Sequence, residues 1–272
     1  MYMPIMKDRK SEIRALNQIA YCFSKDIIPM FEIMDNNHMN NLNTIEEIFK
    51  DKEVLIDLLR FSDGEYTNVD YEKVTFCFEL REDNVYDNSL INLSEKFVPV
   101  ISIKKNFEFD HKRLKELIIK IKKGHKAVAL RLTEEYIEEY KEEIKELEIN
   151  DYLILDIGEQ PVMSKFIELT EFADIDTRAK KIVVNSPRLN NRKNGDYTEG
   201  ITNLIDTSLR DEASRLKLDG YGDYAGLKDC LPGKGGYNGC AIALLYDYKI
   251  NKFHCYLNNN SSDGVKRISE SN

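Results

Sequence analysis

Glu32 in Pro29-Met-Phe-Glu-Ile33, Arg131 in Ala129-Leu-Arg-Leu132 and Asp156 in Ile154-Leu-Asp-Ile157 are charged residues set into apolar runs. Runs of this kind form buried strands, and a buried charge is costly unless it is paired. Other polar residues fall at the ends of similar runs: Lys7 after 2–6, Glu79 and Arg81 at the end of 74–80, Ser102 and Lys104 at the end of 97–103, and Asn185, Ser186 and Arg188 after 181–184. Two readings stay open. In the first, these carboxylates and cations neutralise one another in a network that fixes the fold. In the second, Glu32, Glu79 and Asp156 supply acid–base or metal-binding carboxylates, with Mg2+ or Mn2+ as the metal. Lys7, Arg131, Ser186 and Arg188 then hold an anionic group such as a phosphate.

Other motifs carry less. Gly233-Lys-Gly-Gly-Tyr-Asn-Gly239 resembles a phosphate nest, but it lacks the P-loop pattern and a strand-to-helix setting, so it reads as a loop. His38, His111, His125 and His254 are scattered without metal-ligand spacing. No G-x-S-x-G elbow occurs, which disfavours nucleophilic hydrolase mechanisms. Five cysteines (22, 77, 230, 240 and 255) without C-x-x-C spacing read as reduced thiols.

The elements that must position these residues alternate between β-branched apolar runs and segments of helical period, the mark of a parallel sheet built from βα units. Strands are expected at 2–6, 27–33, 74–80, 97–103, 127–132, 152–157 and from 181, with 221–225 as a short eighth. Ser11 caps a first helix. Thr44 and Glu47 form a capping box for a helix through about Leu59, in competition with a strand over 54–59. A short helix starts at Ser89, and Asp110 caps another that closes at Gly124. Further helices span 134–147, 162–172 and 201–217. Tyr136, Tyr140 and the run Glu138, Glu139, Glu142, Glu143 are expected on a solvated helix face. Residues 240–248 and 252–257 read as a hairpin, and 258–272 as a flexible tail. The fold class is therefore α/β: a (β/α)8-like, TIM-type barrel with an added C-terminal hairpin, in one domain over 1–272. In such barrels the ligand site gathers at the C-terminal ends of the strands, where the charged residues fall.

The chain has 272 residues, close to the roughly 250 of a complete barrel. It is 42% hydrophobic and 32% charged, with a formal net charge of −9, which argues against a general binder of nucleic acid or anionic membrane. The basic residues Lys112, Arg113, Lys115, Lys120, Lys122 and Lys123 are the sole local exception, and they read as a solvated helix face rather than a nucleic-acid stripe. The early charges Lys7, Asp8 and Arg9 rule out a signal peptide there, and no apolar run is long enough to span a membrane, so a cytoplasmic protein with no membrane partner is expected.

Tyr2-x-Pro4-Ile5-x-Lys7, then Glu12 with Ala15-Leu16, then Ile28-Pro29-Met-Phe-Glu32 resembles the start of the bacterial and phage beta family proteins. The likeness continues through Val98-Pro99-Val100, Leu130-Arg131-Leu132, Leu155-Asp156-Ile157-Gly158 and Gly222-Asp223-Tyr224, over nearly the whole chain. Lys7, Glu12, Glu32, Arg131, Asp156 and Asp223 match its motifs, and Asp223 joins the ligand-binding set on that ground. The resemblance implies a prophage or antiviral-defence setting and no particular reaction. Three functions follow as expectations. One is a defence-associated barrel that binds, and in its fullest form hydrolyses, a phosphorylated ligand such as a nucleotide or nucleic-acid end. Another is a non-catalytic recognition or scaffold subunit with a protein partner from a defence operon. The third, a nuclease on long nucleic acid, lacks the basic stripe it needs.

Overall fold

The computed structural model describes residues 1–19, 23–62, 69–187, 200–204, 206–224, 241–247 and 252–258, together with Gly64, Asp229, Leu231, Lys249 and Ile250. Eight parallel strands close into a barrel, each joined to the next through helical segments. In chain order they are β1 (Tyr2–Lys7), β2 (Met30–Ile33), β3 (Val54–Leu58), β4 (Phe97–Ile103), β5 (Ala129–Leu132), β6 (Tyr152–Asp156), β7 (Lys180–Asn185) and β9 (Gly220–Tyr224), with β9 pairing back onto β1. Between β7 and β9 lies β8 (Gly200–Leu204). It forms a separate antiparallel sheet with β10 (Ala241–Asp247) and β11 (Lys252–Asn258).

The helices are α1 (Lys10–Ile19), α2 (His38–Ile48), α3 (Thr75–Glu79), α4 (Asp83–Ile91), α5 (His111–Gly124), α6 (Lys141–Lys145), α7 (Phe166–Asp174) and α8 (Ser208–Arg215). α5 shows why the local sequence folds as it does. Leu114, Leu117, Ile118 and Ile121 recur at helical spacing and are all buried, and Asp110 accepts the Arg113 N–H at 3.1 Å as N-cap. Such a cap is worth about 1 kcal/mol.

Two apolar cores follow from the period of two along each strand. Met3, Ile5, Met30, Leu55, Val100, Ala129, Ile154 and Val184 fill the barrel interior. The alternate positions, such as Phe31, Ile56, Ile101, Leu130, Leu153 and Val183, face the helices. Closure at β9 depends on a missing side chain. A Cβ at Gly222 would stand 2.3 Å from the Met3 carbonyl oxygen, so any other residue there pushes β9 off β1.

Several expectations are corrected. The third strand is 54–58, and 74–80 contains α3 instead. Short apolar runs of this length fit a buried strand and a buried helical turn alike, so pattern alone does not choose between them. Thr44 lies within α2, where its hydroxyl donates to the Asn40 carbonyl at 2.8 Å, so it caps nothing. The helix over 134–147 shrinks to a 3-10 turn at Glu134–Tyr136 and α6. This brings Tyr140 inside, where its hydroxyl donates to the Phe109 carbonyl at 2.7 Å, and buries Tyr136 and Glu143. Residues 200–204 form β8 rather than the start of a helix, which begins only at Ser208. The basic cluster is largely paired: Arg113 with Asp83 and Asp87, Lys115 with Glu146, and Lys122 with Glu148 and Asp151. The glycine-rich loop 233–239 and the tail beyond Asn258 lie outside the described residues.

Candidate functional site at the mouth of the barrel

The inward parity that places Ile5, Met30, Leu55, Val100, Ala129, Ile154 and Val184 in the interior places one more residue per strand above them. These are Lys7, Glu32, Asp57, Ser102, Arg131, Asp156 and Ser186, and on β9 Tyr224. All eight are polar, so the apolar interior ends in a polar ring at the C-terminal end of the strands, the end where barrels of this class carry their ligand sites.

Arg131 occupies the centre of the ring. Its Nη1 donates to Glu32 and to Asp57, both at 2.8 Å, its Nε donates to Asp156 at 3.0 Å, and its Nη2 reaches both Asp156 and the Tyr224 hydroxyl. The Tyr224 hydroxyl in turn donates to Glu32 at 2.7 Å, and the Ser102 hydroxyl donates to Asp57 at 2.7 Å. Lys7 pairs with Glu32 and, at 2.8 Å, with Asp229. Ser186 accepts the Asp229 N–H at 3.0 Å and so pins that loop residue beside Lys7.

The charge states follow. Burial alone would raise the Glu32 carboxyl, but Lys7 and Arg131 outweigh it and hold Glu32 well below the usual carboxylate range. Burial opposes the charge on Lys7, yet Asp229 and Glu32 hold it above the usual lysine range. Burial, reinforced by Glu32, raises Tyr224, which stays a protonated donor.

Arg60, two residues past β3, is held differently. Its guanidinium lies 3.7 Å from the Tyr86 ring centroid and 4.8 Å and 5.2 Å from those of Phe107 and Phe109. It donates one hydrogen bond, at 2.9 Å, to the Ser102 carbonyl, and among the described residues no carboxylate pairs with it. Arg60 is 3% exposed and lines, with Asp57, Ser102, Lys104, Arg131 and Asp156, a cavity of about 120 Å3. That volume suits a phosphate-sized group and falls below the roughly 300–1,000 Å3 of drug-sized ligand pockets.

The structure thus brings Lys7, Glu32, Arg131, Asp156 and Ser186 together. Glu79 does not join them: it lies at the end of α3, exposed, because 74–80 is not a strand. Asp223 points to the outer face of β9, where it accepts the Tyr2 hydroxyl at 2.7 Å. Glu12 accepts the Lys7 backbone N–H at 2.7 Å and steadies the end of β1. Arg188 lies outside the described residues. Sequence reasoning missed Asp57, Arg60, Tyr224 and Asp229. Asp57 carried a signal, since Val-Leu-Ile-Asp-Leu repeats the pattern of Ile-Leu-Asp-Ile. Tyr224 stood one position from the residue chosen in its motif. Neither Arg60 nor Asp229 had a local signal, since both gain their meaning from residues distant in the sequence.

A resident Mg2+ or Mn2+ does not fit the carboxylates of this ring. Arg131 already sits between Glu32, Asp57 and Asp156, and no three His, Cys, Asp or Glu side chains among the described residues are placed to hold an ion.

The Beta protein family model matches residues 2–261. The chain belongs to that family. The match runs through every strand of the barrel and of the added sheet, so the mouth described above is built wholly within the Beta protein region. No curated protein matches the chain. Among solved structures, the tryptophan synthase A-subunit of the hyperthermophile Pyrococcus furiosus is similar at 11% identity and a TM-score of 0.46, over 82% of this chain and 86% of that one. No helix among the described residues of this Beta protein family member is long and apolar enough to cross a membrane.

Proposed function

We propose that the mouth binds the phosphate of a phosphorylated ligand, a nucleotide or a nucleic-acid end, in the prophage or antiviral-defence setting that the family suggests. The observation that carries this reading is Arg60, a buried guanidinium without a carboxylate partner among the described residues, lining a cavity of phosphate size. A buried cation gains most from an anion that can enter. Lys104 lines the same cavity and adds a second cationic side chain to it.

The roles within the ring then separate. Glu32 and Arg131 are locked by mutual pairing and position the site. Asp156 has the most exposed side chain of Arg131's three carboxylate partners, 16% against 1% for Glu32 and 2% for Asp57. This exposure supports Asp156 as the base in a hydrolysis, taking a proton from water as its oxygen bonds to the phosphorus and the P–O bond to the leaving group breaks.

Thermal shift with inorganic phosphate, pyrophosphate, nucleotides and 5′-phosphorylated oligonucleotides tests this. A ligand at a hundred times its Kd stabilises the folded state by about 2.7 kcal/mol. The expected result is a raised Tm in the wild type and no rise in Arg60→Met. A second reading rests on the saturation of Arg131 by four partners: a recognition or scaffold subunit whose ring serves the fold. Absence of any shift across the panel selects that reading and directs the search to a protein partner.

A further inference from the structure

The helices do not close around the barrel evenly. α1 packs on α2, α4 on α5 and α5 on α6, but α2 and α4 touch little. Between them, above the outer faces of β3 and β4, lies a cleft of about 500 Å3, within the range of small-molecule sites. Its floor is apolar, formed by Leu42, Leu58, Phe76 and Phe97. Its rim is of another kind: Asn43, Asn88 and Asn92 stand there, exposed, and no hydrogen bond of their side chains to a described residue is seen.

We infer that this cleft is a second binding site, separate from the mouth, for a neutral planar heterocycle of nucleobase size. Three features select that class. One end of the cleft is flat, because the His38 ring stacks on Phe76 with centroids 3.7 Å apart and planes 12° apart. The rim amides each offer a donor and an acceptor side by side, the pairing by which asparagine reads the edge of a purine. The single charged residue of the lining is Glu46, which Lys96 engages at 2.8 Å, so the cleft has no cation to spare for an anionic ligand. A nucleoside is therefore preferred over its phosphate, the reverse of the mouth.

Saturation-transfer NMR and calorimetry with adenosine, guanosine, cytidine and uridine, each beside its 5′-monophosphate, provide the test. Saturable binding of at least one nucleoside is expected, not improved by the phosphate. Asn88→Ala or Asn92→Ala should weaken it about tenfold, equal to about 1.4 kcal/mol. Val85, 39% exposed at the rim, offers a second variant: Val85→Trp should block entry without touching the barrel core. Arg60→Met should leave nucleoside binding unchanged. The inference is overturned if none of the four nucleosides binds saturably, or if binding survives both Asn88→Ala and Val85→Trp. It is equally overturned if Arg60→Met abolishes binding, which moves the ligand to the mouth. Met39 also lines the cleft and is exposed; self-association that is lost in Met39→Lys, with no nucleoside bound, would assign the cleft to a second copy of the chain and reject the heterocycle.

Discussion

The two arginines at the mouth are buried to a similar degree, 7% exposed for Arg131 and 3% for Arg60, yet their surroundings are opposite. Arg131 is enclosed by Glu32, Asp57, Asp156 and the Tyr224 hydroxyl. Arg60 rests on three aromatic rings and one carbonyl oxygen. Aromatic faces stabilise a guanidinium through the ring quadrupole without neutralising it, so Arg60 keeps a charge to offer, whereas that of Arg131 is spent within the fold. The comparison teaches that burial does not by itself separate a structural ion from a binding one. The presence of a counter-charge does.

Replacing each arginine by methionine, which preserves much of the packing volume, breaks the comparison most sharply. Arg131→Met leaves Glu32 and Asp57 buried, and Asp156 half-buried, around an apolar side chain and is expected to cost about 3–5 kcal/mol. Arg60→Met strands only the Ser102 carbonyl, for about 1–3 kcal/mol. Urea denaturation measures both. Equal losses would show that Arg60 is as much a part of the fold as Arg131 and would remove the basis for the binding role.

Acid sharpens the same contrast at a smaller scale. Glu32 has a folded-state pKa depressed by Lys7 and Arg131, so its contribution is full above the unfolded glutamate pKa of about 4.3 and is lost as pH falls below it. Asp8 and Glu12 act in the opposite direction, since burial raises both and their ionisation opposes folding as pH rises. Wild-type stability should therefore fall steeply below about pH 4, through Glu32 among others. Glu32→Gln should show a lower plateau at neutral pH and a shallower acid limb. Parallel acid limbs in the two proteins would mean that Glu32 is not held as its partners indicate.

Much of this organisation was legible in the sequence because the barrel has a strict parity. Where a charged residue interrupts an apolar run, as at Glu32, Arg131 and Asp156, the run must be an inner strand and the charge must sit near its exit. The failures were of three physical kinds. At 74–80 an apolar run of strand length belongs to a short helix, since length and hydrophobicity do not separate a strand from a buried helical turn. At Asp223 the motif was right and the parity wrong by one residue, which turns a side chain to the other face of the sheet. Arg60 belongs to no strand, and its cage of Tyr86, Phe107 and Phe109 is assembled from segments 26 to 49 residues away along the chain, so no local pattern announces it.

Asp223 offers the finest test, because it is a carboxylate of the barrel that the cations of the mouth do not reach. It sits on the outer face of β9, where burial raises its pKa and the hydrogen bond from the Tyr2 hydroxyl only partly offsets this. A raised carboxylate is better tolerated protonated, so its ionisation weakens the fold progressively as pH rises through the unfolded value of about 3.9 toward the folded one. Asp223→Asn keeps an oxygen to accept from Tyr2 and removes the charge. At pH 7 the variant should melt no lower than the wild type, with a gain on the order of 2 °C for each 1 kcal/mol of charge cost relieved. The gain should shrink as pH falls toward 4, where the wild-type carboxyl takes up its proton. A lower Tm at pH 7, or a difference that does not change with pH, would mean that the charge is compensated. Asp223 would then belong with the paired carboxylates of the ring in energetic terms, whatever side of the strand it faces.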